Sequence, residues 1–311
     1  MISINNRILS GFGVAVMAMS GAGSAAAQTQ GLHPSMQPRM FDSPEAAVKA
    51  LTDAVSNDDT LEMKAVLGSD AKGILTSGDA GQDRDERREF SKLASEKHRV
   101  EHSSMNSKTA VLLVGNEDWP FPVPLVLTGQ QWHFDPELGA LEGLARRIGT
   151  NELDAIEICA GYGGAQEEYA AQNPVGKAAR VYAQTIMSSA NGKNGLYQQG
   201  APRALVPEGF AMADASLPSA GRKPYHGYFF RVLKAQGPNA RGGAHNYVAG
   251  GAMIGGFALI AWPADYGVTG IHTFVISHDG EVFEKDFGPR TPALTQPIVR
   301  YDPDSSWTVV N

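Results

Sequence analysis

The segment GFALIAWPADYGVTGIHTFVISHDGEVFEKDFG, residues 256–288, decides the fold of the C-terminal part of this chain. Residues 257–262 form an apolar run that reaches Pro263. Because proline has no N–H to donate to a central ladder, we expect a strand that ends there. Residues 273–277 predict a second strand, and Asp279 with Gly280 predicts a tight turn with positive backbone dihedrals. A third strand follows directly, so an antiparallel hairpin is expected.

Residues 138–172 predict a helix in two pieces that packs against this sheet. Gly149 and Thr150 mark the expected break, and Asn151 can cap the second piece. The face of that piece toward the sheet is predicted to carry Leu153, Ile156, Ala160, Gly163 and Gly164. The glycines on this face would permit a close approach. Residues 202–224 predict a loop-rich insertion before strands near residues 228–233 and 247–248.

Residues 41–136 predict a separate N-terminal domain of helices followed by a small antiparallel sheet. Asp42 or Ser43 can cap a first helix that has Pro44 in its first turn. The apolar stripe of this helix is Ala47, Val48, Leu51, Ala54 and Val55. Further helices are expected over residues 60–67 and 83–97, and strands between residues 109 and 134. With residues 137–311 as a second domain, this order predicts an α+β fold.

The chain begins with the layout of a secretory signal peptide over residues 1–27. Arg7 supplies the positive charge, residues 8–19 form a short apolar core, and Ala25 to Ala27 form the cleavage site. The core is shorter than the roughly 20 residues that a membrane-spanning helix needs, so no membrane span is expected. We therefore expect a periplasmic or secreted protein with a disordered leader over residues 28–40.

The charge balance limits the classes of partner, and the cysteine count limits the thiol chemistry. The formal net charge is −7, from 26 Lys and Arg against 33 Asp and Glu. Nucleic acid and anionic membranes require a concentrated basic patch, whereas the basic residues here are scattered. We expect neither of these partners, and another envelope protein stays open as a partner. Cys159 has no second cysteine to pair with, and we expect a buried, inert thiol.

The candidate site residues are His226, His245, His272 and Asp286. His272 and His278 have an even spacing that could place two metal ligands on one strand face. A metal site needs further ligands, and the sequence has no HExxH, paired CxxC or EF-hand pattern. We therefore interpret the histidines as satisfied or half-exposed turn residues, and we predict no metal and no cofactor.

The C-terminal half resembles type II secretion pseudopilins and minor type IV pilins. Pro263, Gly267, Gly270 and Phe274 match a P-x-x-x-G-x-x-G-x-x-x-F approach to a strand, which an Asp-Gly turn follows. Upstream, residues 151–172 contain an Ala-Gln-x-x-Tyr element that resembles the centre of the long pilin helix. The resemblance implies that the second domain is a long helix packed on a pilin-like antiparallel sheet.

From about residue 40 to its end, the chain resembles the bacterial exported proteins grouped as domain-of-unknown-function family 2950. Six short segments carry the resemblance: FDSPEAA (41–47), RVYAQ (180–184), PYHGY (224–228), GGAMIGGFA (250–258), KDFGP (285–289) and DPDSSW (302–307). This family brings no activity that can be carried over to the chain.

Two functions from different classes fit these observations. The first is an exported, non-catalytic interaction or assembly module of the cell envelope. The alternative is a periplasmic hydrolase or other envelope enzyme with a site near the C-terminal histidines. An enzyme requires several polar side chains that converge in one concave site, whereas a binding module requires a surface that recognises a partner. The sequence favours the first function and leaves catalysis open.

Overall fold

The structure is a computed structural model that describes residues 37–68, 80–172, 174, 176, 180–189, 192–200 and 203–310. The predicted signal peptide and most of the predicted leader, residues 1–36, lie outside the described residues. The chain divides after Ala145 into two compact units. Each unit contains helices and antiparallel strands, so the fold class is α+β, as predicted.

In its described residues, the first unit has three complete helices, the first turns of a long fourth helix and a five-stranded antiparallel sheet. The helices are α1 (Pro44–Ser56), α2 (Thr60–Leu67) and α3 (Ala80–Glu96). The strands are β1 (His98–His102), β2 (Thr109–Val114), β3 (Trp119–Pro120), β4 (Leu125–Thr128) and β5 (Gln131–Phe134). Their order is β1-β2-β4-β5, with β3 paired to β2.

Helix α1 forms as its sequence predicts. Ser43 caps the helix by accepting a hydrogen bond from the Ala46 N–H at 3.1 Å, and proline follows in the first turn. The predicted apolar stripe is buried, with Val48 2% and Leu51 1% exposed. Gly68 ends α2 with a φ of +84°, a conformation that glycine adopts at little cost. The start of α1, its stripe and the end of α2 are therefore confirmed.

Helix α4 (Pro136–Gln172) is continuous, so the predicted break near residues 149–151 is wrong. Asp135 begins this helix by accepting hydrogen bonds from two first-turn N–H groups at 3.0 Å. Asn151 does not cap a second piece, because its side chain donates to the Thr269 carbonyl at 2.9 Å. Tertiary contacts of this kind outweigh the roughly 1 kcal/mol that a glycine costs inside a helix.

The buried face of α4 also differs from the predicted one. Leu153 is 51% exposed, and a Cβ added at Gly163 or Gly164 would meet nothing within 4 Å, so these glycines permit no close approach. The buried positions recur every three or four residues: Ala155, Cys159, Tyr162, Gln166 and Tyr169. At about 100° per residue, the predicted and observed stripes point in directions that differ by roughly 130°. Of the predicted residues, Ile156 is partly buried and packs against the core.

The second unit is built on a five-stranded antiparallel sheet in the order β16-β15-β14-β13-β8. The strands are β8 (Tyr228–Leu233), β13 (Ala258–Pro263), β14 (His272–Ser277), β15 (Val282–Asp286) and β16 (Thr308–Val309). Strand β13 lies between β8 and β14, and all its residues are buried. Its last residue is Pro263, which pairs with Tyr228, so the strand ends where the proline was expected to end it.

The connection between β14 and β15 is the predicted hairpin with a different turn. Residues 278–281 join the two strands, and the Gly280 N–H donates to the Ser277 carbonyl at 3.0 Å. Gly280 has a φ of +85°, whereas Asp279 is not left-handed. A turn of this kind that ends in a left-handed glycine is a common hairpin connection. The expectation of positive dihedrals holds for Gly280 alone.

Short elements surround this sheet. They are β6 (Thr185–Met187) and β7 (Gly195–Tyr197), which pair in parallel, α5 (Glu208–Met212), β9 (Ala235–Gln236), β10 (His245–Asn246), β11 (Val248–Ala249), β12 (Ala252–Met253) and α6 (Thr291–Thr295). Helix α5 lies inside the segment predicted to be loop-rich. Its Phe210 packs on Phe230 with ring centroids 4.8 Å apart, so this segment contributes to the core.

Both faces of the sheet are covered. On one face, Tyr162 of α4 packs edge-on against Phe257, with ring centroids 5.7 Å apart. On the other face, Arg231 donates to the carbonyls of Thr295 and Ile298 at 2.6 Å each, which ties the end of α6 to β8. None of the helices within the described residues has an apolar stretch long enough to cross a membrane.

Candidate functional site

The four predicted site residues lie at two ends of the sheet in the second unit. His226 precedes β8, His272 begins β14 and Asp286 ends β15, which brings these three to one end of the antiparallel sheet. His245 lies at the other end, where its ring nitrogens contact the carbonyls of Gly243 and Gly255 at 3.2 and 3.1 Å. The predicted region therefore contains three of the four residues, and His245 is not part of it.

Glu152 on α4 makes several contacts with this end of the sheet, and sequence reasoning missed it. Its Oε1 accepts hydrogen bonds from the backbone N–H groups of Ile271 at 2.8 Å and His272 at 2.9 Å. The same carboxylate lies 3.2 and 3.3 Å from Nδ1 of His272. The Glu152 side chain is 18% exposed. Hydrogen bonds to a charged acceptor are among the stronger ones, so this carboxylate fastens α4 to the start of β14.

His226 and Gly227 form the two-residue turn before β8. Tyr225 and Tyr228 exchange two backbone hydrogen bonds of 3.0 Å across it, and the two turn residues have φ values of +48° and +75°. These are the features of a type I′ hairpin turn. A Cβ on Gly227 would lie 2.5 Å from Nδ2 of Asn151, so the turn approaches α4 closely enough to require glycine. The PYHGY segment is thus explained by packing.

The ring of His226 also contacts α4, since its Nδ1 lies 2.6 Å from Oδ2 of Asp154. Both side chains are about a third or more exposed, at 41% and 32%, so water weakens this pair. Together with the bond from Asn151 to the Thr269 carbonyl, these contacts join one stretch of α4 to two turns of the sheet. We call the set of Asn151, Glu152, Asp154, His226 and His272 the helix–sheet junction.

Asp286 lies beside the junction and has its own partners. Its Oδ1 accepts from the Gly288 N–H at 2.7 Å, and its Oδ2 accepts from the Tyr266 hydroxyl at 3.3 Å. Asp286 is the cross-strand neighbour of His272 in the register of β14 and β15. Desolvation, followed by the bond to Asp286, raises the pKa of Tyr266. Asp286 therefore stabilises the turn after β15.

Two buried groups beneath the junction are held in their neutral forms. Tyr228 donates its hydroxyl to the His272 carbonyl at 3.0 Å, and burial raises the pKa of this phenol. Burial also raises the pKa of the Cys159 thiol to about 12. A thiol is a nucleophile only as the thiolate, so Cys159 is inert near neutral pH. The expected burial of this residue is confirmed.

The possible pairing of His272 with His278 as metal ligands does not occur. His278 follows the last residue of β14 and packs edge-on against Tyr247 and Phe257, with ring centroids 5.7 and 6.1 Å apart. The two histidines thus lie at opposite ends of one strand. Among the described residues, no group of three or more His, Cys, Asp or Glu side chains is arranged to hold a metal ion.

A family model described as "Protein of unknown function (DUF2950)" matches residues 38–310. The match confirms the family resemblance that the six short segments predict. The comparison with curated proteins and the comparison with solved structures each found no match. The resemblance to pseudopilins stays a prediction.

Proposed function

We propose that the chain, which belongs to the DUF2950 family, is an exported, non-catalytic interaction or assembly module of the cell envelope. The observation that carries this proposal is the state of the helix–sheet junction. Glu152 is the least exposed acid there. Its carboxylate contacts two backbone N–H groups and one imidazole ring of the same sheet. These ionisable side chains join parts of the fold to one another.

The same use of polar side chains continues along α4. Gln166 is fully buried, and its amide donates to the Ala183 carbonyl at 2.9 Å and accepts from the Ala183 N–H at 2.8 Å. Its Nε2 also donates to the Tyr162 hydroxyl at 2.7 Å. Buried polar groups that are fully paired fix one arrangement of a core. A rigid second unit of this kind suits a module that presents a preformed surface to a partner.

The proposed location rests on the N-terminal sequence. Residues 1–27 have the order of a secretory signal peptide, so the mature chain is proposed to be periplasmic or secreted. The pseudopilin resemblance supports a role in assembly, because a long helix packed on an antiparallel sheet is the arrangement that it implies. The partner is proposed to be another envelope protein.

A second candidate function, an envelope hydrolase, is favoured by one feature of His272. Glu152 contacts its Nδ1, while its Nε2 makes no hydrogen bond to any described residue, and the ring is 35% exposed. A carboxylate that orients a histidine in this way is typical of general bases. Such a mechanism would also need a nucleophile or bound water beside Nε2, and Cys159 is too deeply buried to serve.

Site-specific photo-crosslinking in the native cells separates the two functions. Probes are placed at Leu153 and Val268, which are 51% and 40% exposed and adjoin Glu152 and Thr269 in sequence. We expect a discrete adduct with an envelope protein, and the same adduct in a folded His272→Gln variant. In parallel, purified mature protein is incubated with ester, phosphoester, peptide and glycoside substrates. Turnover that disappears in folded His272→Gln, but not in His278→Gln, would instead establish the hydrolase.

A further inference from the structure

A cleft of about 430 Å³ lies in the second unit, away from the junction. The polar and basic residues that line it are Gln184, Lys234, Asn246 and Arg300, and the apolar ones include Val248 and Val299. Strand β8 runs from Tyr228 beside the junction to Leu233 beside the cleft, so at about 3.3 Å per residue its two ends are roughly 17 Å apart. A ligand in the cleft would therefore not touch the junction.

The wall that carries Lys234 is fixed by buried neighbours. The Lys234 carbonyl accepts a hydrogen bond from the Tyr247 N–H at 2.9 Å. Tyr247 is fully buried, and its hydroxyl donates to Oε1 of Gln236 at 2.9 Å. Asn246 and Val248 flank Tyr247 in sequence, so this anchored residue sets the position of both. This side of the cleft is therefore preformed.

The segment that carries Val299 and Arg300 is fixed in the same way. The Tyr301 N–H donates to the Ala235 carbonyl at 2.9 Å, and Tyr301 is only 3% exposed. Three residues before Tyr301, the Ile298 carbonyl accepts a hydrogen bond from the Arg231 side chain at 2.6 Å. Val299 and Arg300 lie between these two anchors. Gln184 is held by a contact of its own, because its Nε2 donates to the Gly251 carbonyl at 2.9 Å.

The cleft has a positive charge that the rest of the protein does not neutralise. Lys234 and Arg300 are exposed, and neither forms an ion pair within the described part of the chain, whereas Arg203 in the same unit pairs with Glu168 at 3.0 Å. The whole chain has a net charge of −7. Two unpaired cations in one cleft therefore give this part of the surface the opposite sign of charge. A guanidinium and an ammonium that belong to residues lining one cleft favour a carboxylate-bearing ligand.

We propose that this cleft binds an aliphatic ligand with two carboxylates, which Lys234 and Arg300 contact while Val248 and Val299 pack on the carbon chain between them. Val299 is 64% exposed, so its side chain is accessible to such a ligand. The volume lies within the range of about 300–1,000 Å³ that is usual for small-molecule sites. The same chemistry is presented by a free dicarboxylate and by paired glutamates of a protein segment. The proposal concerns a surface other than the junction, and so goes beyond the function proposed above.

Calorimetric titration of the mature protein tests this site with three probes. They are glutarate, the uncharged glutaramide, and an acetylated and amidated Glu-Ala-Glu peptide. We expect saturable binding of glutarate that weakens as salt is added, and no binding of glutaramide. If glutarate and the peptide bind with similar affinity, the natural ligand is a free dicarboxylate. If the peptide binds at least tenfold more tightly than glutarate, the natural ligand is a protein segment. Both results support the site.

Matched variants locate the binding. Lys234→Gln and Arg300→Gln are each expected to lower the affinity for glutarate at least tenfold. Lys223→Gln removes the same charge from an exposed residue before the other end of β8 and is expected to leave the affinity unchanged. Circular dichroism verifies that every variant is folded. No saturable binding, equal binding of glutaramide, or equal affinity in all three variants would overturn the proposal.

Discussion

Replacing Glu152 by alanine is expected to destabilise the second unit by about 2–4 kcal/mol. The change removes the acceptor for the N–H groups of Ile271 and His272, and it removes the contact with the imidazole ring. A hydrogen bond to a charged group contributes about 1.5–3 kcal/mol, but such terms do not add fully within one network. Because Glu152 is 18% exposed, water can reach part of the vacated space, which lowers the upper limit.

Glu152→Gln is the informative companion, because its carbonyl oxygen can still accept from both N–H groups. It loses only the charge, so we expect a smaller cost of about 1 kcal/mol. Glu157→Ala is the matched control, since Glu157 is exposed on the same helix, and a change within about 0.5 kcal/mol is expected there. Glu152→Ala is therefore expected to destabilise the unit most, Glu152→Gln less, and Glu157→Ala least.

Urea unfolding gives the free energies, and hydrogen exchange of the peptide that spans residues 271–277 reports on β14 alone. In Glu152→Ala these amides are expected to exchange faster, and the Tm of the unit to fall by roughly 5–15 °C. Equal stability of Glu152→Ala and Glu157→Ala, with unchanged exchange in β14, would refute the structural role of this carboxylate.

Three further outcomes are expected. Gly280→Val should destabilise the second unit by about 1–3 kcal/mol, because a φ of +85° resists a β-branched residue. His278→Gln should change stability by less than about 1 kcal/mol, because His278 is an exposed residue whose ring only packs edge-on against Tyr247 and Phe257. Equal urea midpoints for Gly280→Val and the wild type would be inconsistent with this turn. Cys159 should resist iodoacetamide at pH 8 until denaturant is added, since burial raises its pKa to about 12, and fast labelling of the native protein would show an accessible thiolate. N-terminal sequencing of protein from native cells should begin near Gln28, and an intact Met1 would overturn export.

The elements that the sequence predicts well are those whose signals are local. Ser43, Pro44 and the apolar stripe of α1 lie within one helix, and the glycine at 280 lies within its own hairpin. The break predicted in α4 failed because glycine and threonine near residue 150 disfavour a helix only weakly. Contacts with the sheet, such as the bond from Asn151 to the Thr269 carbonyl, keep the helix continuous.

The candidate site was predictable only in part, because its contacts join distant parts of the chain. His272 and Glu152 are 120 positions apart, and no spacing rule connects a helical acid with a strand histidine at that distance. His245 appears near the other candidates in sequence, yet the antiparallel sheet places it at the opposite end. The one local signal was the His226-Gly227 pair, whose residue types suit the left-handed positions of a two-residue turn.

The most direct test of the central claim is a double-mutant cycle between Glu152 and His272. Urea unfolding is measured for the wild type, Glu152→Gln, His272→Gln and the double variant, with the substrate assays run on all four. If the pair holds α4 on the sheet, the two changes are expected to couple by about 0.5–1.5 kcal/mol, with no turnover to lose. Additive changes in stability, together with a turnover that both single variants abolish while still folded, would contradict the account and identify the pair as catalytic.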